Sequence, residues 1–105
     1  MTHTELLEIA RHRFGEDNLT ISLSHLTIIY KMGRFTERFV PIEDSGQGRA
    51  QAADLVIHYH VSIRYDELAD KWLWLNVSVP RWETNCTSWQ LAVCAGALAA
   101  VRKRK

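Results

Sequence analysis

The rhythm of hydrophobic and polar residues changes several times along this chain, and each change predicts an element. Leu7, Ala10 and Phe14 recur at three-and-four spacing among charged neighbours. An amphipathic helix is therefore expected over residues 4–14, capped by Thr2 or Thr4 and stopped by Gly15. From Leu19 to Lys31 β-branched residues dominate, but the apolar phase flips. Ile21 and Leu23 share one parity, and Leu26, Ile28 and Tyr30 the other. A bulge near Ser24 and His25 would join the two halves into one strand. "KMGR" then supplies a glycine turn, and residues 35–42 a return strand ending near Pro41.

Residues 43–53, "EDSGQGRAQAA", are polar with two glycines and read as a surface loop. The Gly46-Gln47-Gly48-Arg49 stretch lacks the preceding strand, lysine and following helix of a phosphate-binding loop. The strongest period-two pattern follows over residues 54–65. There Leu55, Ile57, Tyr59, Val61, Ile63 and Tyr65 alternate with Val56, His58, His60, Ser62 and Arg64. A third strand is expected there. Beyond a turn at 67–70, residues 72–79 alternate again, with Leu73, Leu75, Val77 and Val79 opposing Trp72, Trp74, Asn76 and Ser78, and Pro80 closes the fourth strand. Thr87 or Ser88 caps a final helix from Trp89 to about Arg102. That helix is apolar almost all round and carries Ala92, Gly96 and Ala100 at four-residue spacing, a pattern that favours tight core packing.

The predicted order is α-β-β-β-β-α. Short links favour an antiparallel meander, so a single α+β domain is expected over residues 1–105. Its four-stranded antiparallel sheet would be covered by the C-terminal helix on one face, with the N-terminal helix at an edge or on the other face. If the third and fourth strands are neighbours, His58, His60, Ser62 and Arg64 share a surface with Trp72 and Trp74. Two adjacent indoles amount to an apolar patch of roughly 300–500 Å², enough to require a cover. That cover is the N-terminal helix, the aromatic rings of Phe35 and Phe39, or a partner.

Composition narrows the chemistry. The formal net charge of +1 provides no global field to collect nucleic acid, and 47% hydrophobic with 24% charged residues is ordinary globular content. Two cysteines, one of them inside an apolar helix, suit a reduced, cytoplasmic setting. The start of the chain lacks the pattern of a secretory signal, and the apolar run Leu91 to Val101 is about half the roughly 20 residues of a membrane span, so no membrane partner is expected. The three asparagines all fall in Asn-x-Ser/Thr triplets, which without an export signal reads as chance.

No catalytic set emerges. Cys86 has no electropositive neighbours in "WETNCTSWQ", and Cys94 is expected to be inert core. Ser22, Ser24 and Ser62 sit on predicted strands, and the acidic pairs 16–17, 43–44 and 66–67 lie at turns where solvation explains them. His58 and His60, two apart on a strand, could meet one metal ion if His25 or Asp66 completed the set, but no second pair with ligand spacing follows, so neither a metal nor a cofactor is expected.

The function this pattern fits best is a small non-enzymatic binding protein. It would be an adaptor or inhibitor, of the kind viruses and plasmids encode against host defences, acting by occupying a partner protein's surface. Trp72, Trp74, His58, His60 and Arg64, with Arg49 from the loop, are its expected contacts, and a homodimer is compatible with the same surface. The alternative is a module for single-stranded nucleic acid, with bases on the sheet tryptophans and phosphates on Arg102, Lys103, Arg104 and Lys105.

Overall fold

A computed structural model describes residues 1–22, 26–76 and 79–103, and of residues 79–85 the backbone only. The first helix, α1 (His3–Phe14), opens with a reciprocal cap. The Thr2 hydroxyl accepts from the Glu5 amide, and the Glu5 carboxylate accepts from the Thr2 amide. Gly15, at φ 87°, ends it. A short 3₁₀ turn leads into β1 (Leu19–Ser22), β2 (Thr27–Met32) and β3 (Phe35–Arg38), an antiparallel meander. Helix α2 (Gly46–Tyr59) follows, then a second antiparallel meander of β4 (Ser62–Asp66), β5 (Lys71–Asn76) and β6 (Val79–Cys86). Helix α3 (Trp89–Lys103) closes the chain.

The fold is α+β, as expected, but the single four-stranded meander is not formed. Two three-stranded sheets take its place, and the helix–meander unit occurs twice before α3. Four local readings change with it, one of them that residues 46–53, expected as surface loop, form the first part of α2. The phase flip in residues 19–31 marks a hairpin, because Ser22 pairs with Thr27 and the chain reverses between them. The proposed bulge at Ser24 and His25 falls outside the described residues. Residues 54–59 belong to α2, and only 62–66 of the predicted third strand is extended. The backbone of residues 79–86 forms a further strand beyond the expected end of the fourth at Pro80, with Pro80 near the start of an edge strand, a position that tolerates it.

Helix α2 forms for reasons that outweigh its alternation. Ser45 caps it by accepting from the Gly48 amide (3.0 Å). The alanine-rich stretch 50–53 has high helix propensity. Gly48, Gln51, Ala52, Leu55 and Tyr59 are buried at three-and-four spacing, while Ile57, an inward position in the strand reading, is 74% exposed. The helix ends at His60, whose left-handed φ of 53° turns the chain into β4.

α3 lies at the centre of the packing. It touches α1, α2 and each strand of the second sheet, whereas the first sheet docks on α1. Its small residues allow the approach: a Cβ on Gly96 would sit 2.6 Å from Val61 Cγ1 and 3.4 Å from the Trp74 ring. Beside it Asn76, buried, donates its side-chain amide to the Gly96 carbonyl. A contiguous core joins Ile9 and Ala10 of α1, Ile28 and Tyr30 of β2, Leu55 and Tyr59 of α2, and Val93, Cys94, Ala97 and Val101 of α3.

The segment 39–45 is fastened by two buried glutamines. Gln51 accepts from the Val40 amide (2.6 Å) and donates to the Arg38 carbonyl (2.6 Å). Gln90 of α3 donates to the carbonyls of Pro41 (2.8 Å) and Glu43 (2.7 Å). Gly48 lets the segment lie against α2, since a Cβ there would stand 2.2 Å from the Glu43 carbonyl oxygen and 2.8 Å from that of Val40. At an open helical site Gly→Ala stabilises by up to about 1 kcal/mol. Here the obstruction is backbone that no rotamer change can clear, so Gly48→Ala is expected to destabilise by about 3 kcal/mol. Urea unfolding of the variant measures this, and a gain in stability would contradict the contact.

Candidate functional site

A concavity lies between the inner face of the first sheet, the end of α1 and the flank of α2. It holds about 610 Å³. Its floor is aromatic. Phe14 stacks on Tyr30 with ring centres 3.9 Å apart and planes 4° from parallel, and Phe39 meets both rings edge-on. The Arg13 guanidinium lies 5.2 Å from the centre of the Phe14 ring and forms a two-pronged pair with Asp54 of α2 (Nε–Oδ2 3.0 Å, Nη2–Oδ1 3.1 Å). Gln47, Ala50 and Gln51 line the α2 wall, and Met32, Thr36, Glu37 and Arg38 the β2–β3 wall.

Strand register places these groups. Tyr30 pairs with Glu37 across β2 and β3, so both side chains leave the same face, and the phenol donates to Glu37 Oε2 (2.7 Å). Two pairs further along, Met32 faces Phe35 on that same face, where helical cover runs out. Met32 is 45% and Phe35 72% exposed, so the aromatic floor continues as an apolar shelf on the hairpin. The outer edge of β3 is partly capped, because the Arg38 carbonyl accepts from both Gln47 (3.1 Å) and Gln51.

The electrostatics suit holding better than proton transfer. Burial, reinforced by the bond to Glu37, pushes Tyr30 up to about 12, so at neutral pH it is a donor and not a base. Its bond to Asp54 pushes the Arg13 guanidinium still higher. The half-buried Cys86 thiol is pushed up by burial, and Cys94, buried in α3, reaches about 12 for the same reason. Neither is primed as a nucleophile. Among the described residues no group of three or more His, Cys, Asp and Glu side chains is placed to hold a metal, and no helix is long and apolar enough to cross a membrane.

The residues singled out from the sequence do not come together as one surface. Tyr65 pairs with Trp72 and Ile63 with Trp74, so the tryptophans share a face with Ile63 and Tyr65, while Arg64 pairs with Leu73 on the opposite face. The parity assigned to the fourth strand is thus inverted. Trp74 turns inward against the core beneath α3, and Leu73 is buried on the other side. Trp72 is half-buried beside the exposed Tyr65 (ring centres 5.3 Å), whose hydroxyl bonds Asp70. His58 sits on α2 with its ring edge-on to Tyr59 (4.7 Å), and His60 is the exposed helix cap, so the two are not strand-mates. Arg49 pairs with Asp44 (2.9 Å) and Arg102 with Glu8 (3.2 Å). Lys103 is exposed; Arg104 and Lys105 lie outside the described residues.

The cleft residues Arg13, Tyr30, Glu37, Gln51 and Asp54 were not anticipated. One signal was available: Glu37 stands between Phe35 and Phe39 at inward parity, a carboxylate on what is otherwise an apolar face. The chain matches no known protein family, and no characterised protein or solved structure is detectably similar to it.

The Tyr30 shift carries a sign. A phenol held neutral in the folded state contributes stability that is present in full below pH 10 and is lost as pH rises toward about 12. Tyr30→Phe should remove that part of the alkaline decline. Urea midpoints measured across this window for both proteins test the assignment, and parallel declines would refute it.

Proposed function

We propose that this chain is a non-enzymatic binding protein, an adaptor or inhibitor, that engages a partner protein through the cleft and the adjoining β2–β3 hairpin. One observation carries this reading: beside the aromatic floor of an open cleft, Met32 and Phe35, two large apolar side chains, are left in solvent on the same sheet face. Solvent-exposed aromatic and methionine side chains beside a preformed concavity are the anchors that protein interfaces use. Arg13 and Arg38 beside them are ion-paired, and Tyr30 is held as a hydrogen-bond donor, which supports the same reading.

Nucleic-acid binding on the second sheet is the rival reading, and Trp72 beside Tyr65 is the feature that favours it. The inward Trp74 reduces the stacking platform from two indoles to one. Quenching of tryptophan fluorescence by a single-stranded oligonucleotide, weakening steeply with salt, would favour that rival.

Partner capture by surface variants tests the proposal. Phe35→Ser should weaken capture at least about tenfold with stability unchanged, because the ring is an exposed anchor. Leu68→Ser, at a fully exposed position in the turn between β4 and β5, should leave capture intact. Trp74→Ala should instead lower stability by about 3 kcal/mol, the cost of emptying a core site. Equal capture by the wild-type and Phe35→Ser proteins would move the interface away from the hairpin.

A further inference from the structure

We infer that the occupant of the cleft is a polypeptide segment that carries an apolar anchor and, about 7 Å from it, a basic side chain. This inference rests on reading the cleft as a protein-binding site and specifies the partner's chemistry. It follows from how the charges lining the cleft are already used. Arg13 is held on both prongs by Asp54 and lies over Phe14, and Arg38 pairs with Glu43 (3.3 Å). The cleft's cations are therefore committed to acids of the same chain. Glu37 differs. It is exposed, it accepts the Tyr30 hydroxyl on Oε2, and among the described residues no cation pairs with it.

A carboxylate has room for about four hydrogen bonds, and Tyr30 supplies one. The phenol fixes the carboxylate's direction without neutralising its charge, and the cation that would complete it must come from outside. An acidic ligand would meet Glu37 and Asp54 with the nearby guanidinium groups already engaged. A basic one would gain a charge-assisted bond at the edge of an apolar floor, where water competes less.

Spacing sets the second half of the inference. Phe35 and Glu37 are two residues apart on β3 and leave the same face, which separates their side chains by about 7 Å. A segment that seats an apolar side chain on the Met32–Phe35 shelf therefore brings the residue two positions along, if extended, to the Glu37 carboxylate. One turn of a helical segment spans a similar distance.

Panning a random-peptide display library against the wild-type chain, with Glu37→Gln and Phe35→Ser as parallel baits, tests this. Wild type should enrich sequences pairing Lys or Arg with a large apolar residue. A synthetic peptide of that type should bind Glu37→Gln about tenfold more weakly. Changing its basic residue to Gln should cost a similar factor on wild type and little on Glu37→Gln, the non-additivity of a direct pair. Enriched peptides that lack basic residues, or that bind Glu37→Gln and wild type equally while failing on Phe35→Ser, would overturn the inference and leave the cleft as a protein site. No enrichment on wild type, or binding indifferent to Phe35→Ser, would overturn both. Glu37 is exposed on an edge strand, so its amide variant is expected to keep the fold, which circular dichroism checks.

Discussion

The segment 39–45 has to run over α2 with its backbone polar groups away from water, and that constraint determines how the first sheet meets the rest of the molecule. A buried amide or carbonyl without a partner costs about 1–3 kcal/mol. Gln51 satisfies the Val40 amide and the Arg38 carbonyl, and Gln90 the carbonyls of Pro41 and Glu43. Because the two glutamines come from different helices, the segment is tied to α2 and α3 together. Gly48 supplies the missing volume that lets it approach. The cleft is a product of this fastening. With β3 held at a fixed height above α2, the space between Tyr30 and Asp54 cannot close, and the aromatic stack of Phe14, Tyr30 and Phe39 forms its floor.

α3 solves a related problem with apolar atoms. A helix that touches two helices and three strands needs close approach on several sides, and alanine and glycine provide it where leucine would hold the neighbours apart. The contact of Gly96 with Val61 also leaves room for the inward-turned second tryptophan beside it. Val61 occupies the volume that the missing side chain leaves, with the indole edge alongside, and Asn76, two residues along from Trp74 on the same face, ties the strand to the helix backbone. A ring this large at such a contact belongs to stability before recognition.

Legibility in the sequence followed how local the deciding interactions are. α1 and α3 were readable because their caps, periods and stops lie within the segments themselves. The β2–β3 hairpin was readable from its glycine turn. Residues 54–65 misled because six apolar residues in strict alternation fit a strand, while Leu55 and Tyr59 of that set also fit a helix. The deciding signals were Ser45 as a cap, the alanines at 50–53, and the burial of Gly48 and Gln51, which depends on a segment that packs from elsewhere in the chain. Placing residues 54–59 in a strand then carried His58 and His60 onto a sheet they do not occupy. The site itself was not legible as a site. Its members come from α1, β2, β3 and α2, and the ion pair Arg13–Asp54 spans 41 residues of sequence.

What the sequence does encode for the site is a conflict, and the conflict is informative. Alternation on β3 places Glu37 at the same parity as Phe35 and Phe39, so a residue type that prefers water occupies a face built of aromatic rings. In a strand whose inner face was fully covered, that placement would bury a charge at a cost of several kcal/mol. Here the helical cover stops short, Phe35 and Met32 stay in solvent, and Glu37 stays exposed at the boundary, with Tyr30 below it as donor. A phenol held neutral to about 12 remains a hydrogen-bond donor through the physiological range. The boundary between covered and uncovered sheet is thus where an oriented, exposed carboxylate and a free apolar surface coincide.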